Sequence, residues 1–309
     1  MIERFLSGDT LAAARVISLV EDDLPEGRKI LDSLYGRVGT AHRLGITGPP
    51  GAGKSTIVDQ IVLLLRKENK KIGILAVDPS SPFTGGAFLG DRIRMGDIAV
   101  DEAVFIRSLA TRGGHGGLPR AAEDICDIMD AFGKDVILIE TAGVGQTELE
   151  IVHTADTTVV VLVPESGDSV QAMKAGLMEI GDIFCVNKSD REGSEKAISI
   201  LKEVLELKSS DGWHPPVIRT IATEGVGIEE LVRVVSEHMA YLVQQGLAER
   251  KRKERIEYKI VNAVKERTWK PVRNSLEQEL SSLVERVYST TITPTQAVEE
   301  IMKKLDTGR

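Results

Sequence analysis

Residues 44–56, Leu-Gly-Ile-Thr-Gly-Pro-Pro-Gly-Ala-Gly-Lys-Ser-Thr, constrain the fold of this chain more than any other stretch. They match the phosphate-binding loop pattern G-x-x-x-x-G-K-[ST]. Gly48, Gly51 and Gly53 lack a Cβ, so the backbone between Pro49, Pro50 and Ala52 can curl and aim several N–H groups at phosphate oxygens. Lys54 would set its ammonium on the β- and γ-phosphates, and the Ser55 hydroxyl would ligate Mg²⁺. After Thr56, the residues Ile57, Val58, Ile61, Val62 and Leu65 have helical spacing, so the loop opens a helix whose positive end faces the anion. The strand feeding in is Arg43–Thr47. A chain built this way folds as an α/β protein with a largely parallel sheet.

The rest of the chain repeats that grammar. Short, apolar, β-branched runs at Lys71–Val77, Val104–Leu109, Asp135–Ile139, Thr157–Val163, Ile183–Val186 and Val217–Ile221 read as buried parallel strands, seven in all with the first. Several end in polar residues at the edge where open α/β sheets bind ligands. Asp78 opens Asp-Pro-Ser-Ser-Pro and is a turn former or a metal-linked carboxylate. Asp91, in Gly-Asp-Arg, is an N-cap or a second such acid. Glu140 and Gly143 have the spacing of D-x-x-G with Glu for Asp: an acid for Mg²⁺ and a glycine whose N–H can meet the γ-phosphate. The residue after that glycine is Val144, where Ras-like GTPases carry a water-orienting Gln, so intrinsic hydrolysis should be slow. Gln146 and Glu148, in the polar stretch that follows, are the nearby candidates for that role. Asn187-Lys188-Ser189-Asp190 is N-K-x-D, the guanine reader. The Asp190 carboxylate can accept both N1–H and the 2-amino group, donors that adenine lacks, and Lys188 can cover the base with its stem. In the loop Ile221-Ala222-Thr223 the Ala222 N–H can meet guanine O6, with Ile221 where a bracing serine is usual.

Helices flank this core. Residues 1–36 read as helical, with Asp9 as an N-cap before Leu11 and a break at Pro25. From Ile228 onward the pattern is all helix. Arg250–Arg273 holds ten Lys/Arg against three Glu, yet strong apolar stripes run through it and stacking aromatics are sparse. A solvated face around a packed or dimerising stripe therefore reads better than a nucleic-acid arm. A net charge of −8 also argues against a dedicated nucleic-acid binder. No apolar run reaches transmembrane length, and the start lacks signal-peptide or transit character. Cys126 and Cys185 read as buried reduced thiols, and a cytoplasmic location follows.

Taken together, the motifs resemble the G-protein chaperones of methylmalonyl-CoA mutase, the MeaB/ArgK/MMAA type. The resemblance runs from about residue 10 to 290. It rests on the phosphate loop, Asp-Pro-Ser-Ser-Pro (78–82), Gly-Asp-Arg (90–92), Ala-Thr-Arg-Gly with Gly-Gly-Leu (110–118), Glu-Thr-Ala-Gly-Val-Gly-Gln-Thr-Glu (140–148) and Asn-Lys-Ser-Asp (187–190). It implies a three-layer P-loop GTPase domain over 41–246, an N-terminal helical extension over 1–40 and a C-terminal helical dimerisation arm over 247–309. It also implies a homodimer that gates cofactor loading of an adenosylcobalamin-dependent mutase and protects it, with the mutase's adenosyltransferase as a further partner. By motif match, Ser55, Asp78, Asp91 and Glu140 would surround Mg²⁺. Asn187, Lys188, Asp190 and Ala222 would hold the base of GTP or GDP, and Lys174 would lie in a third switch over 164–178. Two other classes compete. A nickel-insertion GTPase would carry His tracts or paired Cys/His sites, whereas this chain has five dispersed His. A small-molecule P-loop kinase would bind ATP and have no base-reading N-K-x-D.

Overall fold

Among the described residues, seven parallel strands form one sheet in the order β3-β2-β4-β1-β5-β6-β7. They are β1 His42–Thr47, β2 Ile72–Asp78, β3 Val104–Ala110, β4 Val136–Thr141, β5 Thr157–Leu162, β6 Ile183–Val186 and β7 Val217–Arg219. The computed structural model describes residues 1–78, 98, 100–110, 120–141, 147–164, 176–207, 212–275 and 277–307. Each strand anticipated from the sequence is present, within a residue or two of its expected ends. The helices are α1 Ile2–Leu6, α2 Thr10–Glu21, α3 Pro25–Leu34, α4 Lys54–Lys67, α5 Arg120–Ala131, α6 Thr147–Glu150, α7 Leu177–Ile180, α8 Ser194–Leu207, α9 Ile228–Gln244, α10 Leu247–Ser275, α11 Glu277–Tyr288 and α12 Pro294–Thr307.

Alternation along the strands sorts their side chains onto two covered faces, as a parallel sheet requires. Leu44 and Ile46 of β1, Leu138 of β4 and Val159 and Val161 of β5 pack with Ile57 and Ile61 of α4 and Leu231 and Val235 of α9. On the other face, Leu75, Val77, Ile137 and Ile139 pack with Val16 and Ile17 of α2 and Ile125 and Met129 of α5. Further along, Val160, Leu162, Phe184 and Val186 pack with Leu177, Ile198 and Leu201. The result is three layers, helix–sheet–helix.

The N-terminal helices belong to this core. Asp9 Oδ1 caps α2 by accepting from Leu11 N at 2.9 Å and Ala12 N at 3.1 Å. Pro25 begins α3 at its first turn, where its missing N–H costs nothing. Arg107 on β3 pairs with Glu21 at the end of α2. The chain enters β1 through a turn clamped by Asp130, a buried carboxylate on α5. It accepts from Gly39 N at 2.6 Å, from Thr40 N and Oγ1 at 3.2 and 2.9 Å, and from Ala41 N at 3.1 Å. Cys126 and Cys185 are buried free thiols, and burial pushes both up to about 12.

The described chain divides into two compact units, residues 1–255 and 256–309. In the second, α11 and α12 are joined by two hydrogen bonds from Arg286 to Glu300, at 2.8 and 2.9 Å. A reciprocal capping box opens α12: Gln296 N donates to Thr293 Oγ1 at 3.2 Å, and Thr293 N donates to Gln296 Oε1 at 2.9 Å. No helix among the described residues is long and apolar enough to cross a membrane.

A buried polar cluster closes the edge where the strands begin. His238 of α9 hydrogen-bonds Thr157 Oγ1 through Nδ1 at 2.8 Å and sets Nε2 3.4 Å from Asp182 Oδ1. Burial pulls the His238 pKa down to about 4, against the pull of Asp182 and with the help of Lys251. The unfolded chain therefore takes up this proton first. His238 contributes stability that is complete above the ordinary histidine value near 6.5 and is lost as pH falls toward about 4. We expect urea midpoints to decline across that window in the native protein, and the decline to be smaller in His238→Gln. An equal decline in both proteins would assign the acid sensitivity elsewhere.

Candidate functional site

The phosphate loop leaves β1, the central strand, at Thr47, and two of its glycines are dictated by close approach. Gly48 has φ +137° and lies so near β5 that a Cβ would fall 2.1 Å from the Val161 carbonyl oxygen. Gly53 has φ +91°, and a Cβ there would fall 2.3 Å from Asn187 Nδ2. A side chain at 48 would push against the backbone of β5, and one at 53 would displace the Asn187 amide and strain a left-handed backbone. Helix α4 then begins at Lys54 with no side-chain cap, which leaves its first amides to an anion.

Lys54 is buried beside these amides. Its Nζ folds back to donate to the carbonyl oxygens of Gly48 at 2.9 Å and Pro49 at 3.0 Å. Burial lowers its pKa, and the carboxylates of Glu140 and Glu148 work against that shift. Phosphate oxygens are stronger, charge-assisted partners for the same ammonium. Beside it, Ser55 Oγ donates to Glu140 Oε1 at 2.6 Å. Glu140 reaches this point because β4 pairs with β1 in the register Ile46↔Glu140. A serine hydroxyl next to a carboxylate at a phosphate cradle is a donor set that suits Mg²⁺, which takes one or two protein oxygens and completes its shell with phosphate and water. Asp78 is the last residue of β2, which pairs with β4 in the register Val77↔Thr141, so its backbone reaches the same edge of the sheet. Asp91, Gly143, Gln146 and Lys174 lie outside the described residues.

Glu148 sits in the first turn of the short helix α6 rather than in an irregular loop. Burial raises its carboxyl pKa, and the Lys54 charge opposes the rise. Its backbone oxygen accepts from Thr47 Oγ1 at 3.4 Å, and Thr47 Oγ1 accepts from Thr141 Oγ1 at 3.0 Å. These two threonines tie the root of the phosphate loop to the end of β4 and to α6. Both fall inside stretches whose motifs assign them no role; the signal that points to them is a hydroxyl at the carboxyl end of each of two paired strands.

The base-reading loop is fastened to the phosphate loop by side chains. Asn187, 3% exposed at the end of β6, donates from Nδ2 to the Ala52 carbonyl oxygen at 2.8 Å. Its Oδ1 accepts from Thr220 Oγ1 and from Ala222 N, both at 3.1 Å. One amide therefore joins three loops. Lys188 takes a left-handed conformation, φ +56°, and its Nζ donates to the Gly51 carbonyl oxygen at 2.9 Å. Asp190 is exposed at the rim. Ala222 is buried, and its N–H is already engaged by Asn187, so a guanine O6 would share that donor. The missing serine at Ile221 has a backbone substitute: Ile221 and Val226 form an antiparallel bridge that closes the turn around Ala222 and Thr223. Thr220, fully buried, takes part through Asn187 although it belongs to no nucleotide-binding motif.

A family model described as methylmalonyl-CoA mutase-associated GTPase MeaB matches residues 13–277. A putative GTPase of Pyrococcus abyssi is 47% identical over 100% of this chain and 97% of its own length. GTPase ArgK of Escherichia coli is 36% identical over 79% of this chain and 77% of its own. The mouse methylmalonic aciduria type A homolog is 30% identical over 96% of this chain and 77% of its own. A solved structure described as LAO/AO transport system kinase superposes with a TM-score of 0.78 at 26% identity, covering 99% of this chain and 96% of that one.

Removing the Asn187 side chain should strip partners from Ala52 O, Thr220 Oγ1 and Ala222 N–H at once, and an unpaired buried group costs about 1–3 kcal/mol. Asn187→Ala is therefore expected to weaken fluorescent GDP binding by about tenfold or more and to lower the melting temperature. Unchanged affinity would show that the two loops hold their positions without this residue.

Proposed function

Because the chain belongs to the family of methylmalonyl-CoA mutase-associated GTPases, MeaB, we propose that it couples GTP hydrolysis to the care of an adenosylcobalamin-dependent methylmalonyl-CoA mutase. It is a P-loop GTPase. In this reading it associates with the mutase, gates loading of the cobalamin cofactor and protects the loaded enzyme, with the mutase's adenosyltransferase as a further partner. The observation that carries the nucleotide assignment is the double tie of the N-K-x-D loop to the phosphate loop, Asn187 to Ala52 and Lys188 to Gly51. That tie supports the reading in which a guanine reader and a phosphate cradle act as one site.

The roles follow from position. The amides of Gly48 to Thr56 cradle the phosphates, and Lys54 exchanges its two loop carbonyls for phosphate oxygens. Ser55 and Glu140, with Asp78 and Asp91 by motif, would hold Mg²⁺. The ion, when bound, neutralises charge on the β- and γ-phosphates. Gly143 meets the γ-phosphate, and Gln146, Glu148 and Lys174 belong to segments that respond to it. Asp190 reads the base edge, Lys188 covers its face, and the turn Ile221-Ala222-Thr223 borders it. The ordinary water-orienting Gln is replaced by Val144, which favours slow basal turnover and leaves acceleration to a partner.

Residues 247–309 serve as the dimerisation arm of this reading, after an N-terminal extension over 1–40 and the GTPase domain over 41–246. Support comes from large apolar side chains left in solvent on its helices: Ile260 is 58% exposed, Val264 55%, Val284 60% and Val298 59%. Unpartnered apolar stripes of this kind ordinarily mark a protein interface.

Two measurements test the proposal. Asp190→Asn should transfer preference from GTP to xanthosine triphosphate, since the amide offers a donor where guanine needs an acceptor; retained GTP selectivity would remove Asp190 as the base reader. The hydrolysis rate of the purified protein should be slow alone and rise markedly with a cobalamin-dependent methylmalonyl-CoA mutase from the same source. A rate indifferent to the mutase would leave the GTPase standing and overturn the partner.

A further inference from the structure

At the edge where the strands begin, a cavity of about 510 Å³ opens between α4 and α9. That volume falls within the range of roughly 300–1,000 Å³ typical of small-molecule clefts. Its walls are aliphatic: Leu44 of β1, Ile61 and Leu65 of α4, and Val232, Val235 and Met239 of α9. The charged residues that border it, Glu68, Lys70 and Asp135, are exposed and keep their charges in water.

Ser236 and Gln244 of α9 line the cavity from exposed positions, and the Ser236 hydroxyl already donates to the Val232 carbonyl oxygen at 3.0 Å. One buried polar side chain stands among the aliphatic residues. His42, at the start of β1, is 8% exposed, and its Nε2 has no hydrogen-bond partner. Its Nδ1 is the ring nitrogen turned to the Asp156 carboxylate, 4.0 Å from Oδ2, and that negative charge favours the tautomer with the proton on Nδ1 and the lone pair on Nε2. Burial lowers the His42 pKa; Asp156 and Asp182 oppose the shift, and Lys251 and Arg255 add to it. The neutral ring is thus a buried acceptor at the cavity that no donor of the lining reaches. A buried acceptor without a partner is costly, and a ligand that supplies one recovers that cost.

We propose that this cavity is a second binding site, for a small uncharged apolar molecule whose hydroxyl donates to His42 Nε2. A carboxylate is the wrong ligand, because it would set an acceptor against the acceptor Nε2 and bury its charge among aliphatic walls. A hydrocarbon fills the walls and leaves the imidazole unpaired. An aliphatic or alkyl-aromatic body with one hydroxyl satisfies both requirements, and Met239 supplies a polarisable sulfur to a ring. The site lies at the opposite end of β1 from the phosphate loop, roughly 16 Å away at the rise of an extended strand. It is separate from the nucleotide site and does not depend on the partner proposed above.

The test compares 4-propylphenol with 4-propyltoluene, which replaces the hydroxyl by a methyl group of similar size. Each is titrated into the full chain with labelled Ile, Leu and Val methyl groups and followed by NMR. Both should shift the methyls of Ile61, Leu65 and Val235 saturably, with the phenol tighter by about fivefold, the worth of one hydrogen bond. His42→Phe should erase that difference. Ala240→Trp, on the exposed mouth of the cavity, should abolish binding of both compounds while GTP binding persists as the check of folding. If His42→Phe does not fold, the two ligands in the native protein and Ala240→Trp still decide. No saturable shift of the cavity methyls, equal affinity for the two compounds in the native protein, or undiminished binding in Ala240→Trp would each overturn the proposal.

Discussion

The site depends on one close approach. Where β1 ends, its backbone passes against the Val161 carbonyl of β5 so tightly that position 48 admits no Cβ. From that point the loop must curl, because glycine at 48 and 53 allows left-handed turns that an L side chain resists. The curl delivers the chain into α4 with Lys54 and Ser55 in the first turn. Everything else in the site is arranged around that turn. Glu140 arrives from the neighbouring strand by register, and Asn187 arrives from β6 to occupy the space that a side chain at 53 would have filled.

That last substitution of partners explains the rigidity of the base side. Asn187 commits both acceptor sites of its amide oxygen and one N–H to structure, in contacts that tie its own loop to the phosphate loop and to the turn at 220–222. Reading of the base is left to the exposed Asp190 and to a shared Ala222 amide. The Ile221–Val226 bridge shows the same division of labour. A backbone pair holds the turn, so the side chain at 221 is released from bracing it.

The two edges of the sheet have opposite characters. At the carboxyl edge, polar groups are held ready for an anion and a cation. At the amino edge, His42, Asp156, Asp182, His238 and Lys251 are packed together, and burial holds both imidazoles toward the neutral form. A neutral His238 finds Thr157, whereas His42 Nε2 has no such partner and sits at an aliphatic cavity. The same helix, α9, serves the core, this polar cluster and the cavity wall.

Much of this was legible in the residues. Periodicity placed all seven strands because a parallel sheet covered on both faces demands continuous apolar runs, and Asp9 and Pro25 marked helix starts by chemistry that acts within one turn. The phosphate loop and N-K-x-D were readable for the same reason: each is a short contiguous segment whose function resides in its own backbone and side chains. What the sequence could not contain was adjacency. The strand order, with β1 between β4 and β5, is set by packing across the whole sheet, and it alone brings Ser55 to Glu140 and Ala52 to Asn187, 135 positions apart. The threonine links at 47, 141 and 220, the short helix at Glu148 and the unpaired His42 nitrogen likewise emerged only with tertiary structure. Hydrogen bonds and burial are properties of neighbours in space, and the chain alone names only neighbours in sequence.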